Sequence, residues 1–243
     1  MSPMLTIAKR EFRSYFDAPL AYVVMCLSFL ALGLAFFMYA KYWDLDQATM
    51  RQMFAYIPIG LGLLVVPVVT MRLLAEERRS GTLEMLITLP VRDSDVILGK
   101  YIGALGLVLT LTIATLVYPL TMFVWPWQLG PLDWGPVWSG YLGMVLFSAA
   151  AVAIGLLISS LTTSQAVAFF ITFFVFLILW FMGGVAETFP SIVGGPVMYL
   201  SLETHVSDFT RGLVALRDVV YFISVAVLAL VVAFRALERR KWT

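Results

Sequence analysis

The stretch AVAFFITFFVFLILWFMGGV, residues 166–185, decides the fold, because its 20 residues include no ionisable side chain. A hydrocarbon core of about 30 Å requires about 20 helical residues to cross it. Lipid offers the backbone no hydrogen bonds, so a spanning segment is either a helix or part of a closed barrel. The stretch lacks the period-2 alternation of a barrel strand, and it therefore predicts a transmembrane helix.

Five further stretches have the same character, and the composition of the chain agrees with them. The 243 residues are 61% hydrophobic and only 13% charged, with a mean hydropathy of +0.94. Soluble domains are nearer half apolar and a quarter charged. We therefore predict an all-α membrane protein with a single transmembrane domain, residues 1–243. Its six transmembrane helices are predicted at residues 20–40, 56–75, 101–125, 137–158, 166–185 and 219–236.

The distribution of Lys and Arg predicts the orientation of these helices. Six spans place both termini and residues 72–100 and 159–165 on one side, which carries 12 of the 16 Lys and Arg residues. Basic residues accumulate in cytoplasmic loops, so this side is predicted to be cytoplasmic. An interfacial belt of tryptophans at span ends on the other side agrees, and it comprises Trp43, Trp125, Trp127, Trp134 and Trp138.

Several functional classes are excluded by the residues that are present. A net charge of +1 does not fit the basic face of a nucleic-acid-binding protein. Gly99 and Lys100 are followed by Tyr101 rather than Ser or Thr, so no phosphate-binding GxxxxGK[ST] loop is formed. The middle of each predicted span contains no Asp, Glu, Lys, Arg or His, since Arg72 and Arg235 lie in the last turns of their spans. This argues against an ion-coupled carrier and against an intramembrane enzyme.

Residues 4–16 are predicted to form an amphipathic helix at the membrane interface. At 100° per residue the basic residues share one arc, and the neighbouring apolar arc contains Met4, Leu5, Ala8, Phe12, Tyr15 and Phe16. The alternative is ordinary flanking charge without a helix. A cleaved signal peptide is not expected, because the apolar run that follows is too long and no small-residue cleavage site comes after it.

The predicted cytoplasmic loop and its flanks read RLLAEERRSGTLEMLITLPVRDSDVILGKYIGAL, residues 72–105. Gly81 and Pro90 bound a short helix, and Asp93 or Ser94 is expected to cap a second helix that continues into the third span. In the short helix Leu83, Leu86 and Ile87 form an apolar stripe at i, i+3 and i+4. Such a stripe must be buried, either on this chain's own helix ends or the lipid surface, or in a partner subunit.

This loop resembles the signature of ABC-2 type transporter permeases, through EERRSGTLEML at residues 76–86, TLPV at 88–91 and ILGK at 97–100. Within that group the chain is similar to the small bacterial permeases of the gliding-motility ABC transporter subfamily. The likeness continues over nearly the whole chain, in KREFRSYF at 9–16, APLAY at 18–22, VPVVTMR at 66–72, AIGLLISSLT at 153–162 and LSLETHVSDFTRG at 200–212.

The resemblance implies the permease subunit of an ATP-driven exporter in a bacterial inner membrane, with ATP hydrolysis, ATP and Mg in a separate cytoplasmic ATPase and no cofactor in this chain. It also implies a second permease, either another copy or a homologue. A coupling helix at residues 82–89 would dock into the ATPase, and the site would comprise Glu76, Glu77, Gly81, Thr82, Leu83, Glu84, Leu86, Ile87 and Pro90. A second contact would comprise Ser160, Thr162 and Thr163. The alternative is a non-transporting membrane subunit that transmits ATP-driven motion to envelope partners.

Residues 186–218, on the predicted outer side, are too long and too apolar for a simple connector. The family has re-entrant helices before its last span, and we expect such a pair here rather than a surface loop. Val206, Phe209, Leu213 and Leu216 have the spacing of one helical stripe. His205, the single histidine, has no neighbouring Cys or second His, so we expect a solvated or hydrogen-bonded side chain rather than a metal ligand.

Overall fold

A computed structural model describes residues 2–17, 19–35, 50–81, 92–123, 133–186 and 188–238. Every regular element in these ranges is helical, which confirms the predicted all-α class. Within the same ranges, five helices are long and apolar enough to cross a membrane. A bent pair of helices near the start raises the possible number of spans to six, the number predicted.

The bent pair consists of α1, Pro3–Asp17, and α2, Pro19–Leu34, and residues 22–34 of α2 meet α1 at 74°. Each helix begins with proline, whose missing N–H would have no intrahelical acceptor at that position. α1 occupies the segment for which an interfacial helix is predicted, although Leu5 of the apolar arc is exposed. The remainder of the first predicted span, after residue 35, lies outside the described residues.

The second span is a candidate membrane helix, Met53–Arg79, with a widened turn in its middle. Its parts are α3, Arg51–Gly60, a π-helical segment, Leu61–Val65, α4, Val66–Thr70, and α5, Ala75–Arg79. Pro67 has no N–H, and in a regular α-helix its ring would clash with the carbonyl of Leu63. The π turn just before Pro67 accommodates this residue within a continuous span.

The third span follows residues 82–91, which lie outside the described residues. α6 covers Asp93–Ala114 and α7 covers Val117–Phe123. The expected cap at Asp93 or Ser94 is wrong, because the capping position is Arg92 and no side chain caps the helix. In α6 the hydroxyls of Thr110 and Thr112 donate to the carbonyls of Gly106 and Val108. Both hydroxyls therefore form their hydrogen bonds within their own helix.

The fourth span, α8, Trp134–Leu161, forms the centre of the bundle, and α9, Gln165–Ala186, follows it. Asp133 begins α8 by accepting a hydrogen bond from the N–H of Gly135 at 3.1 Å. Glycines on α8 allow close approach, since a Cβ added to Gly140 would lie 2.6 Å from the ring of Phe54. The core around α8 is rich in buried aromatic side chains, namely Phe54, Phe147, Phe176, Trp180, Phe209 and Phe222.

Two short helices precede the last span, α12, Leu216–Glu238. They are α10, Ser191–Leu200, and α11, Leu202–Thr210, where a pair of re-entrant helices is predicted. The single stripe expected from Val206 to Leu216 is wrong. Gly212 has φ +87° and ends α11, so Val206 and Phe209 are buried whereas Leu213 and Leu216 are exposed. How deeply α10 and α11 enter the bilayer stays a prediction.

Candidate functional site

Polar side chains from four parts of the chain meet at one end of the bundle, which we call the basic end. It contains α1, α5, the beginning of α6 and the end of α8. Of the predicted coupling residues, Glu76, Glu77 and Gly81 lie here, and Gly81 ends α5 with φ +71°. The other predicted coupling residues lie outside the described residues, and they are Thr82, Leu83, Glu84, Leu86, Ile87 and Pro90.

Lys100 is the centre of the basic end, and its side chain is only 2% exposed. Its Nζ lies 2.6 Å from Oε1 of Glu11 and 2.8 Å from Oε1 of Glu77. A buried ammonium is tolerated only when it is paired and hydrogen-bonded, and two carboxylates meet this requirement. The three side chains join α1, α5 and α6, and we call them the Lys100 triad.

The Lys100 triad borders a cavity of about 160 Å³ between α1 and the end of the second span. Within it, Nε of Arg72 donates to Glu76 at 3.1 Å, and the hydroxyl of Tyr15 donates to the carbonyl of Val69 at 3.0 Å. Burial, reinforced by the negative charge of Glu11, raises the pKa of Tyr15 above its ordinary value, so its hydroxyl remains a donor. The cavity is lined by Glu11, Ser14, Tyr15, Arg72, Leu73, Glu76, Glu77 and Lys100.

The end of α8 is tied to the same place by Ser159. Its hydroxyl oxygen accepts hydrogen bonds from the backbone N–H groups of Leu74 and Ala75, at 3.1 Å and 3.2 Å. These are the first donors of α5, which have no acceptor within their own helix. Nη1 of Arg78 donates to the carbonyl of Thr162 at 3.3 Å. The flank of residues 82–91 and the turn after α8 are therefore joined directly.

The three residues predicted for the second contact differ in position. Ser160 is buried, and its hydroxyl donates to the carbonyl of Leu157 at 2.6 Å. Thr162 is half-buried and donates to the carbonyl of Ile158 at 3.3 Å. Thr163 is exposed in the turn between α8 and α9. Of the three, Thr163 is the most exposed.

α1 packs on α6 along a face of glycines. A Cβ added to Gly99 would lie 2.8 Å from the side chain of Ile7, and one added to Gly103 would lie 2.7 Å from Cβ of Glu11. Contacts this short leave no room for a methyl group. The two helices therefore approach each other at nearly backbone distance, beside the Lys100 triad.

A second polar cluster lies at the opposite end of the bundle, between α11 and α12. Nδ1 of His205 lies 2.6 Å from Oδ1 of Asp218, and Nε2 lies 2.8 Å from the carbonyl oxygen of Tyr199. The imidazole stacks on the ring of Tyr221 with their centroids 3.9 Å apart. His205 is thus the hydrogen-bonded histidine that the sequence predicted as one alternative, and it is buried rather than solvated.

Neither cluster has the composition of a metal site or of a nucleophilic centre. Within the described ranges, no group of three His, Cys, Asp or Glu side chains could hold a metal ion. Both ring nitrogens of His205 are engaged by acceptors, so His205 is not positioned to activate a serine or cysteine. The clusters can hold helices together.

Five helices long and apolar enough to cross a membrane, within the described ranges, define a multi-pass helical membrane protein. Residues 39–201 match the family described as ABC-2 family transporter protein. Because this match covers about two thirds of the chain, the chain belongs to the ABC-2 family of transporter proteins and is an ABC-2 type permease.

A curated relative agrees with this family. The chain is 38% identical over 112 residues to the probable multidrug ABC transporter permease YbhR of Escherichia coli (strain K12). The same protein from Escherichia coli O157:H7 gives the same identity. The matched region is 46% of this chain and 28% of the relative, so it spans less than a third of the relative's length.

Proposed function

We propose that this chain is the membrane-spanning permease subunit of an ATP-driven exporter and that a separate ATPase subunit binds at the basic end. One observation carries the proposal. The flanks of residues 82–91 are held together there by Glu77 and Lys100, and the turn after α8 is held beside them by Ser159. Residues 82–91 and the turn after α8 are therefore attached to the same group of packed helices.

In this proposal residues 82–89 form the coupling helix. Leu83, Leu86 and Ile87 enter a groove of the ATPase, and the exposed Thr163 provides part of the second contact. Glu77 stabilises the base of the loop, because its side chain pairs with the buried Lys100. Glu76 is more exposed and pairs with Arg72. ATP and Mg bind to the partner, and the chain itself is not an enzyme.

The remaining parts of the proposal concern location and assembly. The basic end faces the cytoplasm of a bacterial cell, because Lys and Arg are retained on the cytoplasmic side of the inner membrane. Two permeases, either two copies or two homologues, form the path between them. ATP-driven closure of the ATPase subunits moves the coupling helices and so opens or closes that path.

The experiment is the substitution Leu86→Asp, compared with Leu213→Asp at the opposite end, where Leu213 is exposed. Burying one leucine contributes on the order of 1.5–3 kcal/mol. An unpaired carboxylate in the groove adds a cost of several kcal/mol. Since about 1.4 kcal/mol is a factor of ten in affinity, Leu86→Asp should weaken ATPase binding by orders of magnitude.

We expect Leu86→Asp to reach normal membrane levels and to lose its ATPase in pull-down, whereas Leu213→Asp keeps it. The purified wild-type chain alone should hydrolyse no ATP. If Leu86→Asp lowers the stability of the isolated permease but binds its ATPase with normal affinity, the stripe packs on the permease itself and residues 82–89 are not the coupling helix.

A further inference from the structure

Residues 82–91 are closed at their base by a buried ion pair. Glu77 in α5 precedes the loop, Lys100 in α6 follows it, and their charged atoms are 2.8 Å apart. A force applied to the loop therefore reaches both flanks together. Separating them would leave Lys100, which is 2% exposed, with one carboxylate fewer, and such separation of buried charges is costly.

The same lysine also holds α1, which is far from the loop in sequence. Nζ of Lys100 lies 2.6 Å from Oε1 of Glu11, a residue 89 positions earlier. Glu11 projects from the face of α1 that packs on the glycines of α6. The ion pair therefore lies inside the contact between the two helices rather than at its edge.

The glycine face determines how closely the helices approach. Gly99, Gly103 and Gly106 follow each other at spacings of four and three residues, so they lie on one side of α6. A Cβ added to Gly99 would come within 2.9 Å of the carbonyl oxygen of Met4, and one added to Gly106 would lie 3.0 Å from the ring of Phe12. Glycines permit this approach but offer no side chain that fixes α1 along α6. The bond between Glu11 and Lys100 supplies that register.

From α1 the connection continues to the first span. Phe12 and Phe16 of α1 have ring centroids 5.1 Å apart, and Phe16 contacts the ring of Tyr22 in α2 at 6.4 Å. A displacement of α6 that carries α1 with it therefore also reaches α2. In this way the second, third and first spans are linked through one buried lysine.

We propose that Lys100 is a positioning residue that makes α1, α5 and α6 one rigid unit, so that α1 moves with the loop when the ATPase acts. This inference rests on the proposed function, because it requires an ATPase bound at the basic end. It adds that the movement enters the permease through the first span as well as through the second and third.

The test measures distances between spin labels in the permease–ATPase complex in lipid nanodiscs, without nucleotide and after trapping with Mg, ATP and vanadate. Cys26 is replaced by serine, and labelled chains are diluted into unlabelled ones. One pair joins α1 to α6, through Lys9→Cys and Ile102→Cys, and a second pair joins α1 to α12, through Lys9→Cys and Arg235→Cys. All three positions are exposed.

In the wild-type background we expect an unchanged distance for the pair between α1 and α6 and a nucleotide-dependent shift for the pair between α1 and α12. Lys100→Met should broaden the first distribution and abolish the shift of the second. Lys100→Arg should restore both, because the neighbouring cavity has room for a guanidinium that pairs with both carboxylates. A merely structural role would lower the yield of folded complex without separating α1 from α6.

A milder variant keeps the test decisive if Lys100→Met does not fold. Glu11→Met removes the acceptor on α1 and leaves Glu77 paired with Lys100, and it should release α1 alone. The proposal is overturned if the distance between α1 and α6 changes with nucleotide in the wild-type background, or if neither distance responds. It is also overturned if Glu11→Met leaves both distributions unchanged. A wild-type chain that binds no ATPase in pull-down refutes the proposed function as well, and this is established before any distance is measured.

Discussion

The buried pair of His205 and Asp218 provides a direct test of how the end opposite the basic end is held together. The change is Asp218→Leu, which keeps a side chain of similar size and removes the carboxylate. The carbonyl of Tyr199 can only accept a hydrogen bond, so Nε2 of His205 must carry a proton. Nδ1 lies 2.6 Å from Oδ1 of Asp218, and a contact of this length between two acceptor atoms requires a proton between them.

Leucine leaves this histidine without a satisfactory state, because it can neither donate nor accept a hydrogen bond. The charged form is buried without its carboxylate, and the neutral form has Nδ1 without a hydrogen-bond partner. Removing one partner of a buried ion pair costs about 3–5 kcal/mol. This cost applies here because both side chains are buried, with Asp218 0% and His205 2% exposed. For a chain of this size the loss corresponds to a decrease in melting temperature on the order of 10 °C.

The assay is thermal unfolding of the purified permease in detergent, followed by intrinsic tryptophan fluorescence. His205→Phe should also destabilise, because it leaves the buried Asp218 with only the exposed Arg217 as a partner. The double variant His205→Phe with Asp218→Leu removes both polar groups and should melt well above either single variant. If Asp218→Leu melts within about 2 °C of the wild type, the pair contributes little and the reasoning is refuted.

Two further predictions concern packing and orientation. Gly155→Ala should destabilise the permease by about 1–3 kcal/mol, because the added methyl group would overlap a buried threonine, whereas Gly184→Ala has nothing within 4 Å and should be neutral in the same melting assay. In a chain without Cys26, a cysteine at Ser80 should be protected from an impermeant thiol reagent in intact cells and one at Glu203 should be labelled. Labelling at Ser80 in sealed cells would contradict a cytoplasmic basic end.

The helical class and the approximate spans follow from the sequence because lipid leaves a long apolar stretch few alternatives. The residues at which individual helices begin and end depend on backbone conformation, which is harder to predict from the sequence. The stripe from Val206 to Leu216 has perfect helical spacing, yet Gly212 adopts a positive φ and divides it. Similarly, Asp93 is a good capping residue, but the helix begins one residue too early to use it.

The Lys100 triad was not predicted, since its acidic partners come from separate parts of the chain. Glu11 is 89 residues from Lys100, and no local pattern relates them. The position of Lys100 in the sequence nevertheless indicates that its side chain is buried. Val96, Lys100 and Ala104 recur at intervals of four residues, so the lysine lies on an apolar face of α6, and all three are buried. A charge in such a position indicates a buried partner, although it does not identify one.

The π-helical segment at Leu61–Val65 has a consequence for the direction of the charged end of the second span. A π turn holds one residue more than an α turn, so the part of the span after it is rotated by about 100° relative to a regular helix. Residues 71–74 separate α4 from α5 and add a second change of direction before Glu77. The direction in which Glu77 points toward Lys100 therefore depends on the surplus residue and on this break together. Deleting the surplus residue would rotate α4 and the part of the span after it by about 100° and would shorten the span by only about 1.5 Å.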